Sequence, residues 1–411
     1  MSNSSPYASL QIKDFRLFIF ARLCITLAIQ IQGTIVGWQV YELTHDPLSL
    51  GLIGLVEAIP AITVSLYAGH VADIMDRKKI IIPTIAILFI CSASLLFFTL
   101  DVGKIVFSYG AIPIYVVIFI SGIARGFLSP ATFSFMPQLV PRELYANAIS
   151  LNSTFWEAAA IGGPMLAGFI YGFFGVTTSY FVDALLMAAS LVIYLTIANR
   201  PVPLSHSEQS VSAKIKEGLS FVFSNQIILA AISLDLFAVL FGGAVALLPI
   251  FAKEILQAGP EGLGLLRAAP AVGAVAIAVY ITHNPIKKNI GKILLCCVSG
   301  FGITMIGFGL STNFWLSIGL LVMSGMFDSV SVIVRSTLIH TLTPENMKGR
   351  VSAVNSIFIG SSNEIGSFES GFAAKLMGVV PSVVFGGLMT LGVVGVTSVK
   401  AKKLRRLHTV S

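Results

Sequence analysis

Apolar runs of about 20 residues recur along the whole chain, parted by short polar breaks, and this recurrence limits the possible fold more than any single motif. A helix needs about 20 residues to cross the ~30 Å hydrocarbon core of a bilayer. Twelve segments qualify, the first at 15–41 and the last at 382–399, with the fifth and sixth at 146–173 and 178–198, the seventh at 226–251 and the eleventh at 351–378. A strand barrel would show short segments of alternating polarity, whereas these runs are continuous, so helices are expected. The composition agrees. Of 411 residues, 55% are hydrophobic and only 11% charged, against about 25% charged in a soluble protein.

The expected fold class is therefore an all-α membrane protein with twelve transmembrane helices. The polar start, before the first long apolar run, carries no signal-peptide cleavage pattern, so the first helix is expected to be a retained anchor. The four cysteines, Cys24, Cys91, Cys296 and Cys297, lie in apolar segments without paired spacing, which argues against a disulfide framework or a zinc site.

Lys and Arg set the expected orientation, because cytoplasmic loops retain them. With the N-terminus inside, the inner segments hold nineteen Lys and Arg, the spans five and the outer loops only Lys104 and Lys253, which accounts for all 26. Both termini are expected to be cytoplasmic, in a bacterial inner membrane. The net charge of +7 then reflects a basic face meeting anionic headgroups, and implies no nucleic-acid partner.

The stretch from Arg200 onward is polar, with Pro201 and Pro203, and leads into an amphipathic segment. It reads as a linker, dividing the chain into a first six-helix bundle at 1–199, the linker at 200–225 and a second six-helix bundle at 226–411. The halves repeat each other. A shift of 210 superposes Gly54, Leu55, Ala58 and Pro60 on Gly264, Leu265, Ala268 and Pro270; a shift of 203 superposes Ser121, Gly122, Asn152 and Phe155 on Ser324, Gly325, Asn355 and Phe358. Two pseudo-symmetric bundles are what alternating access by rocking requires.

Between the second and third spans stands GHVADIMDRKK, which resembles the signature loop of the major facilitator superfamily. The resemblance marks Gly69, Asp73, Arg77 and Lys78 as a gating motif, with Asp73 placed to pair with Arg77 or a helix terminus. In SGIARG of the fourth span, Arg125 resembles the family's intramembrane arginine, and AIGGPMLAG of the fifth, with Gly163, Pro164 and Gly168, resembles the motif of proton-coupled antiporters. The longer strings LDLFAVLFGGAVALLPIFA and TPENMKGRVSAVNSIFIGSSNEIGSFESG are similar to the enterobactin-exporter-like branch, which also takes in macrolide and tetracycline exporters. The resemblance implies proton-coupled export of a small amphipathic organic molecule, a siderophore or a drug, by a monomer that uses the proton gradient and no cofactor. Import through the same fold is the alternative, with a metal-ion carrier or a receptor behind it.

With Arg16, at the edge of the first span, counted among the inner segments, twelve ionisable side chains fall inside the spans: Arg22, Glu57, Arg125, Glu157, Asp183, Asp235, Arg267, Asp328, Arg335, Glu364, Glu369 and Lys375. A charge at that depth costs about 3 kcal/mol or more unless it is paired or faces a water-filled cavity. Arg125 therefore needs an acidic partner. At 1.5 Å per residue, Glu157, Asp235, Asp328 and Glu364 fall near the midplane, and Glu57, Arg267, Glu369 and Lys375 in the outer third. Asp235, Asp328 and Arg335 could instead form a static buried network.

The first span adds a polar stripe that includes Gln30 and Thr34, with Gln32 and Gln39 beside it, suited to a cavity wall. Gln30, Thr34, Glu57, Arg125, Glu157, Asp235, Arg267, Asp328, Glu364 and Glu369 are thus the expected substrate and proton path. No nucleophile and base set or metal-ligand spacing stands out, so an enzyme is not expected.

Overall fold

The computed structural model describes residues 7–100, 105–200, 211–286, 288–344 and 347–408, and every regular element among them is helical. The long helices are α1 (Lys13–Thr44), α2 (Pro47–Ile74), α3 (Arg77–Phe98), α4 (Ile112–Phe135), α5 (Tyr145–Thr196), α6 (Val211–Ser224), α7 (Gln226–Gly242), α8 (Gly259–His283), α9 (Ile290–Leu310), α10 (Phe314–Leu342), α11 (Lys348–Met377) and α12 (Val379–Lys400). Three of them start on a side-chain cap. Asp76 caps α3 by accepting from the Lys78 amide at 2.9 Å, Asn225 caps α7 by accepting from Ile227 and Ile228, and Asn313 caps α10 by accepting from Leu316.

Among the described residues, ten helical segments are long and apolar enough to cross a membrane. One of them, 55 residues from Arg142 to Thr196, has the length of two crossings. The expected fifth and sixth spans are two helices that meet at Gly175, where φ +80° and ψ 176° break the helical run. Adding α11, whose Glu364, Glu369 and Lys375 lower its hydropathy, brings the crossings to twelve.

Gly175 has a counterpart. Gly378, between α11 and α12, has φ +92° and ψ 160°, and 378 − 175 gives the repeat shift of 203. This region of backbone space is open essentially to glycine alone, so the repeat extends from sequence to backbone geometry.

The seventh span departs from expectation. In place of one continuous helix, α7 stops at Gly242, and a 3-10 turn (Ala244–Leu247), a helical turn (Leu248–Ile250) and a π turn (Phe251–Ile255) follow. The Gly242–Gly243 pair loosens the backbone and Pro249 lacks the amide that would continue the ladder. The freed carbonyl of Gly243 accepts a hydrogen bond from Ser370 Oγ of α11 at 2.9 Å.

The chain divides into two compact units, the first 1–45, 56–207 and 260–264, the second 46–55, 208–259 and 265–411. In the first, α1 packs along α5, and α3 packs against α4 and α5. Phe18 anchors the core, with ring centroids 6.1 Å from Phe135 and 6.2 Å from Tyr194. An ion pair at 2.6 Å between Asp14 and Arg200 ties the start of α1 to the end of the unit.

In the second unit, α9 packs against α10 and α12, and α7 against α11 and α12. Leu234, Leu294, Val298, Val334 and Leu338 form the main core. Within the linker, residues 201–210 lie outside the described residues. Helix α6 packs on α11, burying Val222 beside Val351 and Val354, and Glu217 pairs with Arg350 at 2.5 Å.

Candidate functional site

The site is built most fully in the first unit, around Arg125. Gly122, one turn earlier on α4, lets that helix lie directly against the backbone of Glu57 and the ring of Pro60 on α2. This close crossing brings Arg125 Nη1 onto Glu57 Oε1 as an ion pair, with the two side chains about a fifth exposed. The acidic partner that Arg125 requires therefore comes from α2. The second guanidinium nitrogen, Nη2, donates to Gln32 Oε1 of α1 at 3.1 Å.

Gln32 carries the connection inward. Its Nε2 donates to Asp183 Oδ2 at 3.3 Å and to Ser92 Oγ at 3.4 Å. Asp183 is fully buried, and its Oδ1 has no hydrogen-bond partner among the described residues. Four helices thus support one polar chain, from the partly exposed Glu57 through Arg125 and Gln32 to the enclosed Asp183. Such a chain holds charge away from lipid and links a carboxylate reachable by water to one that is sealed.

The rest of the first-span stripe does other work. Gln30 packs its stem on Gly163, whose hydrogen leaves the room for it. Thr34 is buried, and its hydroxyl donates to the Gln30 carbonyl one turn back at 2.8 Å. Thr34 thus satisfies its hydroxyl on its own helix. Gln39 accepts from the Tyr180 hydroxyl at 2.6 Å.

The second unit carries a smaller charged set. Asp235 of α7 and Arg335 of α10 form a buried ion pair. Asp328 stays out of it, so the expected three-member network is a pair. Asp328 has no hydrogen-bond or ion-pair partner among the described residues, and lines a small cavity with Asp235, Phe301, Phe327 and Ser331. Glu364 is half-buried and packs over Gly54. Glu157, Arg267 and Glu369 are half-buried on α5, α8 and α11. Lys375 pairs with Asp46 at 2.9 Å.

Of the gating motif, Arg77 is buried at the first position of α3. Lys78 Nζ donates to the carbonyls of Leu195 and Ile197 at 3.1 and 2.5 Å, capping the end of α5. The backbones of Gly69 and Asp73 continue α2, and the pairing expected of Asp73 lies outside the described residues. In the fifth-span motif, Pro164 is buried and Gly168 touches the backbone of Pro260 and Gly264, all within the first unit.

The sequence reading placed Glu57 and Arg125 on the path and left out Gln32 and Asp183. Membrane cost names Asp183 as a charge that needs a reason, but its partner lies 151 residues away. Among the described residues no three His, Cys, Asp or Glu side chains gather as a metal-holding set.

With every regular element among the described residues helical, at least ten segments fit to cross a membrane and a polar chain of buried charges, this is a multi-pass membrane protein. It belongs to the Major Facilitator Superfamily, whose model matches residues 18–367. That membership makes it a transporter rather than an enzyme. It is similar to the enterobactin exporter of Salmonella typhi, 25% identical over 389 residues, covering 92% of this chain and 90% of that one. It is also similar to the staphyloferrin A transporter of Staphylococcus aureus, 22% identical over 371 residues, covering 86% of this chain and 88% of the relative. Among solved structures, a bacterial homologue of the iron transporter ferroportin shares the fold at a TM-score of 0.71 and 18% identity, over 96% of this chain and 99% of that one.

Proposed function

We propose that this chain is a secondary transporter of the bacterial inner membrane that exports a siderophore or a similar small amphipathic molecule, as a monomer, in exchange for protons. Both termini face the cytoplasm in this reading, as the basic inner loops favour. The cargo class is supported by two relatives named for siderophores, each matched along more than four-fifths of its length.

The observation that carries the coupling is the polar chain Glu57, Arg125, Gln32 and Asp183. A proton arriving at Glu57 weakens its hold on Arg125. The guanidinium is then free to strengthen its pull toward Gln32 and Asp183, so a change at an accessible carboxylate is felt at an enclosed one. Cargo that displaces the proton reverses the shift, and this exchange is the elementary event of an antiporter. Asp328, beside a small cavity in the second unit, is the next candidate to carry a proton.

Direction is tested with right-side-out and inverted membrane vesicles energised by a pH gradient and offered a radiolabelled siderophore. Export predicts uptake into inverted vesicles only, with the lumen acidic. Uptake confined to right-side-out vesicles makes the chain an importer and overturns the proposal.

A further inference from the structure

The small cavity of the second unit is built from three helices. Asp235 and Val239 of α7, Phe301 of α9, and Phe327, Asp328 and Ser331 of α10 line it. Two glycines set its aromatic walls: Gly242 leaves room for the Phe301 ring and Gly300 for the Phe327 ring, where a methyl group would collide. Asp328 stands 14 residues into the 29 of α10, about 21 Å along its axis, and so lies at mid-span. The space between these side chains holds about one water-sized species.

Charge limits what that space can take. Asp235 is paired with Arg335, so these two cancel, and Asp328 leaves the set with one negative charge at mid-span. The matching position of the first unit, Arg125, has its counter-charge in Glu57, whereas the described residues offer none to Asp328. One positive charge restores neutrality; an anion would worsen the balance and a divalent cation would overshoot it.

A second group in the cavity is open for a ligand. Ser331 is 2% exposed and its Oγ makes no hydrogen bond. Ser324, Thr337 and Thr341 of the same helix all donate to backbone carbonyls three or four residues back. Ser331 instead presents a free hydroxyl one turn from the Asp328 carboxylate, so two kinds of oxygen share one side of the cavity. The break in the seventh span adds to the same sign of field. Helix α7 stops at Gly242, and Val239 in its last turn lines the cavity, which places the negative end of that helix beside it. Ends of interrupted helices are where transporters hold small cations. Size then chooses among monovalent cations, because a water-sized space admits sodium and is too tight for potassium or an organic ammonium group.

We propose that Asp328 and Ser331 bind one sodium ion in the cavity walled by Phe301 and Phe327. The site goes beyond the siderophore reading and does not depend on it. Sodium and the proton considered for Asp328 occupy the same carboxylate, so each excludes the other.

The test is binding of radioactive sodium to the purified, detergent-solubilised full chain, with ionic strength held constant by choline chloride and with unlabelled sodium, lithium, potassium and choline as competitors. The site predicts saturable binding that sodium and lithium displace well before potassium or choline. Asp328→Asn, which removes the charge, should weaken sodium binding by about tenfold or more. Ser331→Ala, which removes one neutral oxygen, should weaken it by about threefold. Should Asp328→Asn fail to fold, Ser331→Ala and Asp328→Glu carry the comparison, and both are expected to bind sodium more weakly than wild type. No saturable binding by the wild-type chain means that the cavity holds water only, and overturns the site. Equal affinity in wild type and variants, or displacement by potassium and choline as readily as by sodium, overturns it too. Because binding is read without flux, vesicles that move no siderophore leave the sodium site standing, and a chain that binds no sodium leaves the transport reading standing.

Discussion

Arg125 shows how far one residue's cost can be followed. Its position in an apolar span demands an acidic partner, and the structure supplies Glu57 from α2 and Gln32 from α1. Removing one member of such a pair leaves a charge in a poor environment. With each side chain about a fifth exposed, we expect Glu57→Ala to cost about 2 kcal/mol, below the range for fully buried pairs. Thermal unfolding in detergent checks this. The double replacement Glu57→Leu with Arg125→Met should recover most of the stability while leaving transport inactive, and a recovered flux would dismiss the pair as a structural fixture.

The same residues mark where the sequence stopped being legible. Membrane cost points to each buried charge singly, so Glu57, Arg125 and Asp183 can all be picked out in an apolar run. It carries no information on which of them meet, because the bridging Gln32 is uncharged and its partners are distant along the chain. Thr34 is a different case. Its spacing on α1 matches a cavity stripe, yet a threonine in a helix readily donates to its own backbone one turn back, and there it does.

At the scale of elements, hydropathy read the spans well because it measures what a segment can bury. It could not see the break in the seventh span, since Gly242, Gly243 and Pro249 leave hydropathy high while disturbing backbone hydrogen bonds. The Ser370 hydroxyl meets one freed carbonyl. Ser370→Ala should therefore cost about 1 kcal/mol, read as a lowered midpoint of thermal unfolding. An unchanged midpoint would mean that water serves that carbonyl equally well.

The two glycine breaks form a matched pair at this scale. Gly175 and Gly378 hold closely similar dihedrals 203 residues apart. A side chain at either would meet backbone strain of roughly 1–3 kcal/mol. Gly175→Ala and Gly378→Ala should lower stability by similar amounts, checked by the same unfolding assay. A large effect at one and none at the other would show that the repeat no longer governs these turns.

For the whole molecule, the repeat carries an inversion of charge. By the shifts of 203 and 210, Arg125 corresponds to Asp328 and Glu57 to Arg267. The first unit joins its pair, whereas Asp328 in the second lines a cavity without a partner among the described residues. The repeat thus keeps its glycine and proline framework in both units while the charges at matching positions differ in sign. The fold, the family and the transporter class were all readable from apolar periodicity and the signature motifs, while the contacts that join Glu57, Arg125, Gln32 and Asp183 needed the packing of four helices.

The central claim is that the polar chain from Glu57 to Asp183 couples cargo movement to protons. It is tested most directly by reconstituting wild type, Glu57→Gln and Asp183→Asn in liposomes and comparing two fluxes of a radiolabelled siderophore: uptake driven by a pH gradient, and exchange at equilibrium without one. The account predicts that both variants keep exchange near the wild-type rate and lose gradient-driven uptake by about tenfold or more. Gradient-driven uptake at the wild-type level in both variants would contradict it.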